Sequence, residues 1–384
     1  MKISTYITDY NCVTPLGFDV ESNWKNVVEG RSGISKHQII EGQPEFLASM
    51  IYDEALNEKF TKEFENQEFT RLEKMLLLSL KPLIEKNPVS EKSVLILSTT
   101  KGNVSSIKNQ SEPPKSAYLS ELAQKIAGYF GFRAKPVVIS NACVSGVMAV
   151  SVAKNLIECG KYDDAFVIAG DEVSGFVISG FNSFQALSPN PCKPYDESRD
   201  GISIGEAAAA VYVTKEALTE NFSYKIIGES AVNDANHISG PSRTGEGLFR
   251  SIQNAIKEAK ISPEDIDFLS AHGTATVYND EMESIAFTRA GLNDVPVNSL
   301  KAFYGHTLGT AGLLELIIAM ESAKHSLLIA SKNFEKSGVS HPINIIKENQ
   351  EKEINMILKT ASGFGGCNAA VILKKEKPTD SITK

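Results

Sequence analysis

The chain has 384 residues, 42% of them hydrophobic and 22% charged, which excludes a disordered, collagenous or coiled-coil protein and leaves room for a sizeable core. Its 39 basic and 47 acidic side chains give a net charge of −8, the wrong sign for a nucleic-acid partner. Residues 52–68 (YDEALNEKFTKEFENQE) hold six acids against two lysines and supply half of that excess.

In chain order, strands are expected at 94–97, 136–139, 165–170, 209–213, 268–271 and 369–373. Helices are expected at 70–85, 119–130, 144–159, 247–260, 281–290 and 309–324. This alternation is the pattern of an α/β protein. The longest strongly apolar helical stretch, LLELIIAM at 313–320, carries Glu315 and falls short of the ~20 residues that cross a bilayer, so no membrane span is expected. The opening MKISTYITDYNCVTPLG lacks a basic segment followed by an apolar run and a cleavage site, and the expected compartment is the cytoplasm.

Two segments echo each other. GEAAAAVYVTK at 205–215 and GGCNAAVILKK at 365–375 align without a gap at an offset of 160 residues. Cys143, after a strand and before a helix, is followed 163 positions later by His306, which again opens a helix. The reading is a duplicated unit, residues 1–220 and 221–378, with residues 379–384 a polar tail.

Five cysteines, an odd number with no CxxC pair, argue against a disulfide framework or a zinc site. Cys143 in SNACVSG stands apart because it lies at a helix start, where free amides and the helix dipole favour a thiolate. Small neighbours (Ala142, Ser145, Gly146) leave room for a substrate. In AHGTATVYNDEME, His272 follows a strand that ends at Ala271 and precedes Asp280 and Glu283, one helical turn apart. In KAFYGHTLGTAGLLE, Lys301 precedes His306 by five residues. SGFGGCNAA at 362–370 puts a glycine pair before a strand. Singly, each has a plain structural reading: a buried cysteine, a core histidine, a tight turn.

Together, in this order, they resemble the elongating β-ketoacyl-acyl-carrier-protein synthases of the thiolase superfamily. CVTPLG at 12–17, NACVSG, FQALSPNPCKPYDESRDGISIGEAAA at 184–209, DANHISGP at 234–241, AHGTATVYND, the GHTLGTAG helix start and GFGGCNAA carry the likeness. It extends over most of the chain and is weakest between residues 35 and 135. The resemblance implies a duplicated thiolase-like fold of five layers, αβαβα, with two mixed sheets around central helices. It implies a Cys-His-His site in which Cys143 accepts an acyl group and His272 and His306 face it. Lys301 would fix the His272 region, with Asp280 and Glu283 as its supporting acids. Phe364 would be a mobile gate whose backbone N–H forms an oxyanion hole with that of Cys143.

The implied reaction is a decarboxylative condensation of an acyl thioester with malonyl-acyl-carrier protein, in fatty-acid, polyketide or polyene synthesis. It requires no metal and no organic cofactor. The implied partners are acyl carrier protein and a second subunit, as a homodimer or as a heterodimer with a related chain. Lys193, with Arg199 beside it, falls at a basic carrier-docking position. The chain departs from the family at Cys367, where Thr is usual, and at Ala207, where Gly is usual. A papain-like hydrolase fits poorly, because CGSCW is absent and His306 would have no role. A thiolase would want its second cysteine before the glycine cluster, whereas Cys367 follows it. A non-catalytic chain-length-factor-like subunit is the alternative, and it would typically lack the nucleophile.

Overall fold

The structure is a computed structural model describing residues 3–38, 45–65, 68–107, 112–218, 221–235 and 240–377. The tail at 379–384 and part of the DANHISGP motif lie outside the described residues.

Ten strands build the main sheet: β1 (Tyr6–Val13), β2 (Ser93–Ser98), β3 (Val137–Ile139), β4 (Asp164–Asp171), β5 (Ala207–Thr214), β6 (Ser223–Asn233), β7 (Phe268–Ser270), β8 (Val297–Asn298), β9 (Met356–Gly363) and β10 (Cys367–Glu376). The helices that matter here are α1 (Arg71–Lys86), α2 (Leu119–Tyr129), α3 (Ser145–Glu158), α4 (Gly175–Ser183), α5 (Glu246–Ala259), α6 (Val277–Arg289), α7 (Lys301–Tyr304) and α8 (Ala311–His325). All six expected strands and all six expected helices are present, with small shifts at their ends.

The sheet order is β8-β7-β9-β10-β6-β1-β5-β4-β2-β3. Read outward from the middle, β1-β5-β4-β2-β3 and β6-β10-β9-β7-β8 are the same arrangement. In each, the inner three strands are antiparallel and the outer three run parallel. The two mixed sheets implied by the resemblance are therefore halves of one ten-stranded sheet. Their junction is short, pairing Tyr6 with Lys225 and Ile7 with Tyr224.

Burial follows the two-residue period of a strand. Along β2, Val94 and Ile96 enter the central core while Leu95 and Leu97 enter an outer one with α1 and α2. Both faces are covered, so the strand reads as a continuous apolar run rather than an alternation. The 160-residue echo obeys the same rule: Ala209 and Ala369 both face the centre, and Ala210 and Ala370 both face outward. On the far side, α5 and α6 cover β7, β9 and β10. Between the half-sheets lie α3 and α8. Every residue of α8 from Ala311 to Ala323 is buried, as a helix enclosed on all sides requires. Gly146 permits the close crossing, since a Cβ there would stand 2.8 Å from the Leu313 backbone nitrogen.

Candidate active site

The two central helices bring their starts together, and the chemistry-bearing residues sit there. Cys143 precedes α3 by two residues on a turn where Ala142 adopts φ +45°, a left-handed conformation uncommon for a residue with a side chain. The Ser145 hydroxyl holds that turn, donating to the Ala142 carbonyl at 2.6 Å and accepting the Asn141 N–H at 2.8 Å. His306 lies five residues before α8, ahead of the short turn Leu308–Thr310 that leads into it. His272 leaves the end of β7. The Cys143 sulfur and one ring nitrogen of each histidine lie within 4.8 Å of one another, and the two rings meet edge to face with centroids 5.1 Å apart. All three residues line one cavity of about 460 Å³, with Phe181, Phe184 and Phe364 also on its wall.

Hydrogen bonds assign the tautomers. His306 Nδ1 accepts the Leu308 N–H at 3.1 Å, in a turn where Leu308 has φ +52°. His272 Nδ1 lies 3.4 Å from the Lys301 ammonium. Each neutral ring therefore carries its proton on Nε2. Burial holds both imidazoles well below their ordinary range, reinforced by Lys301 in each case. The result is a pair of uncharged N–H donors beside a sulfur. A Cys-His-His set is a donor set a divalent ion can use. Ligation through Nε2 would move a proton onto Nδ1, however, and Nδ1 of His306 already faces an N–H. The residues therefore fit hydrogen-bond donation better than metal ligation.

Burial, and next the neighbouring Cys367, push the Cys143 thiol up to about 12, while Lys301 and the Phe364 amide pull it down. Desolvation thus opposes the thiolate that the helix start favours. The Phe364 backbone amide lies against this sulfur. Its hairpin comes so close because residue 363 is glycine, where a Cβ would stand 3.0 Å from the Cys143 nitrogen. The Phe364 ring is two-fifths exposed and packs on Phe181 and Phe184, with centroids 5.8 and 5.5 Å away.

Lys301 is buried, donates to the His272 carbonyl at 2.8 Å and forms its ion pair with Glu315. Asp280 and Glu283, expected as its supporting acids, do not pair with it. Glu283 accepts the N–H groups of His272 and Gly273, at 2.9 and 2.7 Å, and the Tyr195 hydroxyl at 2.9 Å. Asp280 accepts the N–H groups of Tyr195 and Ala275. These acids hold the backbone of the AHGT turn, because α6 directs them at its amides rather than at α7. Glu315 bonds a second buried lysine, Lys359, at 2.6 Å. Glu315 stands out in the apolar stretch LLELIIAM, but nothing in the sequence marks Lys359 as its partner.

Arg199 is also corrected. Its guanidinium is buried and donates to the carbonyls of Asp196, Gly338 and Val277, with Asp280 at 3.9 Å. Such a group joins loops and has no face to offer a carrier. Lys193 is partly exposed and lies 3.5 Å from Glu335. All five cysteines are free thiols. No helix among the described residues is long and apolar enough to cross a membrane.

An acyl-transfer site of this design, on a duplicated thiolase-like fold, defines an acyltransferase class. The N-terminal domain of β-ketoacyl synthase matches residues 89–218 and the C-terminal domain matches residues 224–335. The chain belongs to the β-ketoacyl synthase family. It is 26% identical to a 3-oxoacyl-[acyl-carrier-protein] synthase 2 of Staphylococcus aureus, over 97% of this chain and 99% of that one. Among solved structures it resembles a chain of a ketosynthase complexed with its chain length factor from Xenorhabdus doucetiae. There the TM-score is 0.85 and the identity 26%, over 97% of this chain and 98% of that one. The ishigamide ketosynthase/chain length factor shares the fold at TM-score 0.85 and 22% identity, over 97% of this chain and 99% of that one.

Proposed function

We propose that the enzyme condenses an acyl group held on Cys143 with a malonyl unit brought by acyl carrier protein, releasing carbon dioxide and a 3-oxoacyl-carrier two carbons longer. The observation that carries this reading is the pair of neutral, Nε2-protonated histidines beside a buried thiol. In the first step Cys143 attacks the acyl thioester, and its proton leaves with the departing carrier thiol. The amides of Cys143 and Phe364 receive the tetrahedral oxyanion. Malonyl-carrier then enters past the Phe364 gate. Its C–CO₂ bond breaks, and the electron pair moves into a thioester enolate. His272 and His306 donate to the enolate oxygen, where charge develops. The enolate carbon attacks acyl-Cys143, and the Cys143 thiolate leaves and is reprotonated.

In this reading residues 1–220 form the half that supplies the nucleophile and 221–378 the half that supplies both histidines, supported by the repeated strand order. The enzyme works in the cytoplasm as a homodimer with acyl carrier protein as its transient partner. A heterodimer is the second arrangement, favoured by the likeness to a ketosynthase paired with its chain length factor. The purified chain, mixed with acyl- and malonyl-loaded carrier, is expected to release carbon dioxide and form the extended 3-oxoacyl product. If product forms only after a related ketosynthase subunit is added, the chain is a partner subunit.

A further inference from the structure

Lys359 stands in the middle of β9, the strand that leads into the gate hairpin, and is fully buried. Its ammonium meets Glu315 Oε2 at 2.6 Å and the carbonyls of Ser270 and Ala271 at 3.2 and 3.1 Å. Lys301 takes the other Glu315 oxygen and the next carbonyl, that of His272. Two ammonium groups from separate elements thus hold three successive carbonyls at the end of β7. One carboxylate from α8 bridges them.

At contact distance the two ammonium groups have one carboxylate between them. Among the described residues Glu315 is the carboxylate within ion-pair distance of either lysine. Glu283 and Asp280, the other acids near His272, spend their oxygens on the backbone of the AHGT turn and on Tyr195. Among the described residues, His306 and Cys143 also stand at the ring. Behind His272, then, two lysines share the Glu315 carboxylate at contact distance, with Glu283 acting on Lys359 from farther off, in a buried setting where such charges act strongly.

We propose that Lys359 is a positioning residue for the condensation step. Its ammonium fixes the strand end that carries His272 and, as the second cation on Glu315, keeps that imidazole neutral, so that it donates a hydrogen bond to the enolate. The proposal rests on the proposed condensation and adds a residue to it. Burial lowers His272 most, and Lys301, His306 and Lys359 each push in the same direction.

Two substitutions test it. Lys359→Gln keeps a donor for the carbonyls and removes the charge, whereas Lys359→Met removes both. In each, the acid limb of the condensation rate should move to higher pH by roughly half a unit or more. Acylation of Cys143 at pH 8, read by intact mass, should persist. Lys359→Met should also lower the plateau kcat by about tenfold, with KM for malonyl-carrier little changed. An acid limb that stays in place in both variants overturns the proposal, as does loss of acylation together with condensation. The unsubstituted protein supplies a check that needs no variant to fold: ¹⁵N-histidine NMR at pH 6 should show His272 neutral with its proton on Nε2, and a doubly protonated ring overturns the proposal. If the unsubstituted enzyme condenses nothing, the proposed function fails; comparing the His272 titration in Lys359→Gln and unsubstituted protein still reads the Lys359 effect.

Discussion

His272 and His306 face each other across the cavity with ring planes at 84° and centroids 5.1 Å apart, and each has its Nδ1 occupied by a donor from the protein interior. This leaves two N–H groups converging beside Cys143, a geometry suited to an oxygen that gains charge. Replacing either histidine by Ala should leave acylation of Cys143 intact and lower condensation roughly 10²–10³-fold, the usual cost of one preorganised donor. Parallel intact-mass and product assays separate the two steps. Loss of acylation in His306→Ala would point instead to a Cys-His pair of the hydrolase type.

The thiol pushed up to about 12 by burial predicts a pH dependence. The free enzyme holds little thiolate at neutral pH, and that fraction rises about tenfold per pH unit until the raised value is approached. Iodoacetamide labelling of Cys143, followed by mass, should therefore keep climbing from pH 7 to pH 10. A plateau near pH 7 would mean that the helix start outweighs desolvation after all.

Glu283 accepts two backbone N–H groups and a buried hydroxyl. Glu283→Ala leaves these donors without a partner, at a cost of roughly 3 kcal/mol or more. The urea midpoint should fall accordingly. An unchanged midpoint would show that water replaces the carboxylate.

Arg199 and Lys193 separate by experiment. Arg199→Ala removes a buried cation from three carbonyls and should cost about 3–5 kcal/mol of stability. Lys193→Glu should leave stability nearly unchanged and raise KM for the carrier, most at low salt, because exposed charges are screened over about 8 Å at physiological ionic strength. A Lys193→Glu enzyme with unaltered KM would remove that lysine from docking.

The sequence exposed those parts of the site that must have a particular residue type at a particular spacing. Cys143, His272, His306, Lys301 and Phe364 stand beside glycines and small residues that their turns require, so motif and geometry coincide. Glu315 and Lys359 were hidden because their meaning lies in each other: an acid in a central helix and a lysine in a strand 44 residues later. The same lysine explains why β9 was missed, since MILKTASG breaks its apolar run with Lys359, which is paired inside with Glu315. Arg199 was misread because it lies in a polar segment, and only the packing of Gly338 and Val277 against it turns a surface base into an interior one. The duplication showed in one strand pair and in the helix starts at Cys143 and His306; the junction between β1 and β6 rests on two residue pairs and carries no motif.

The proposed condensation requires that Cys143 carry the acyl group. Incubating the enzyme with acyl-loaded carrier protein and weighing it intact tests this most directly. The unsubstituted chain should gain one acyl mass and Cys143→Ala none. Acyl mass that survives the substitution, on Cys367 or elsewhere, would contradict the account.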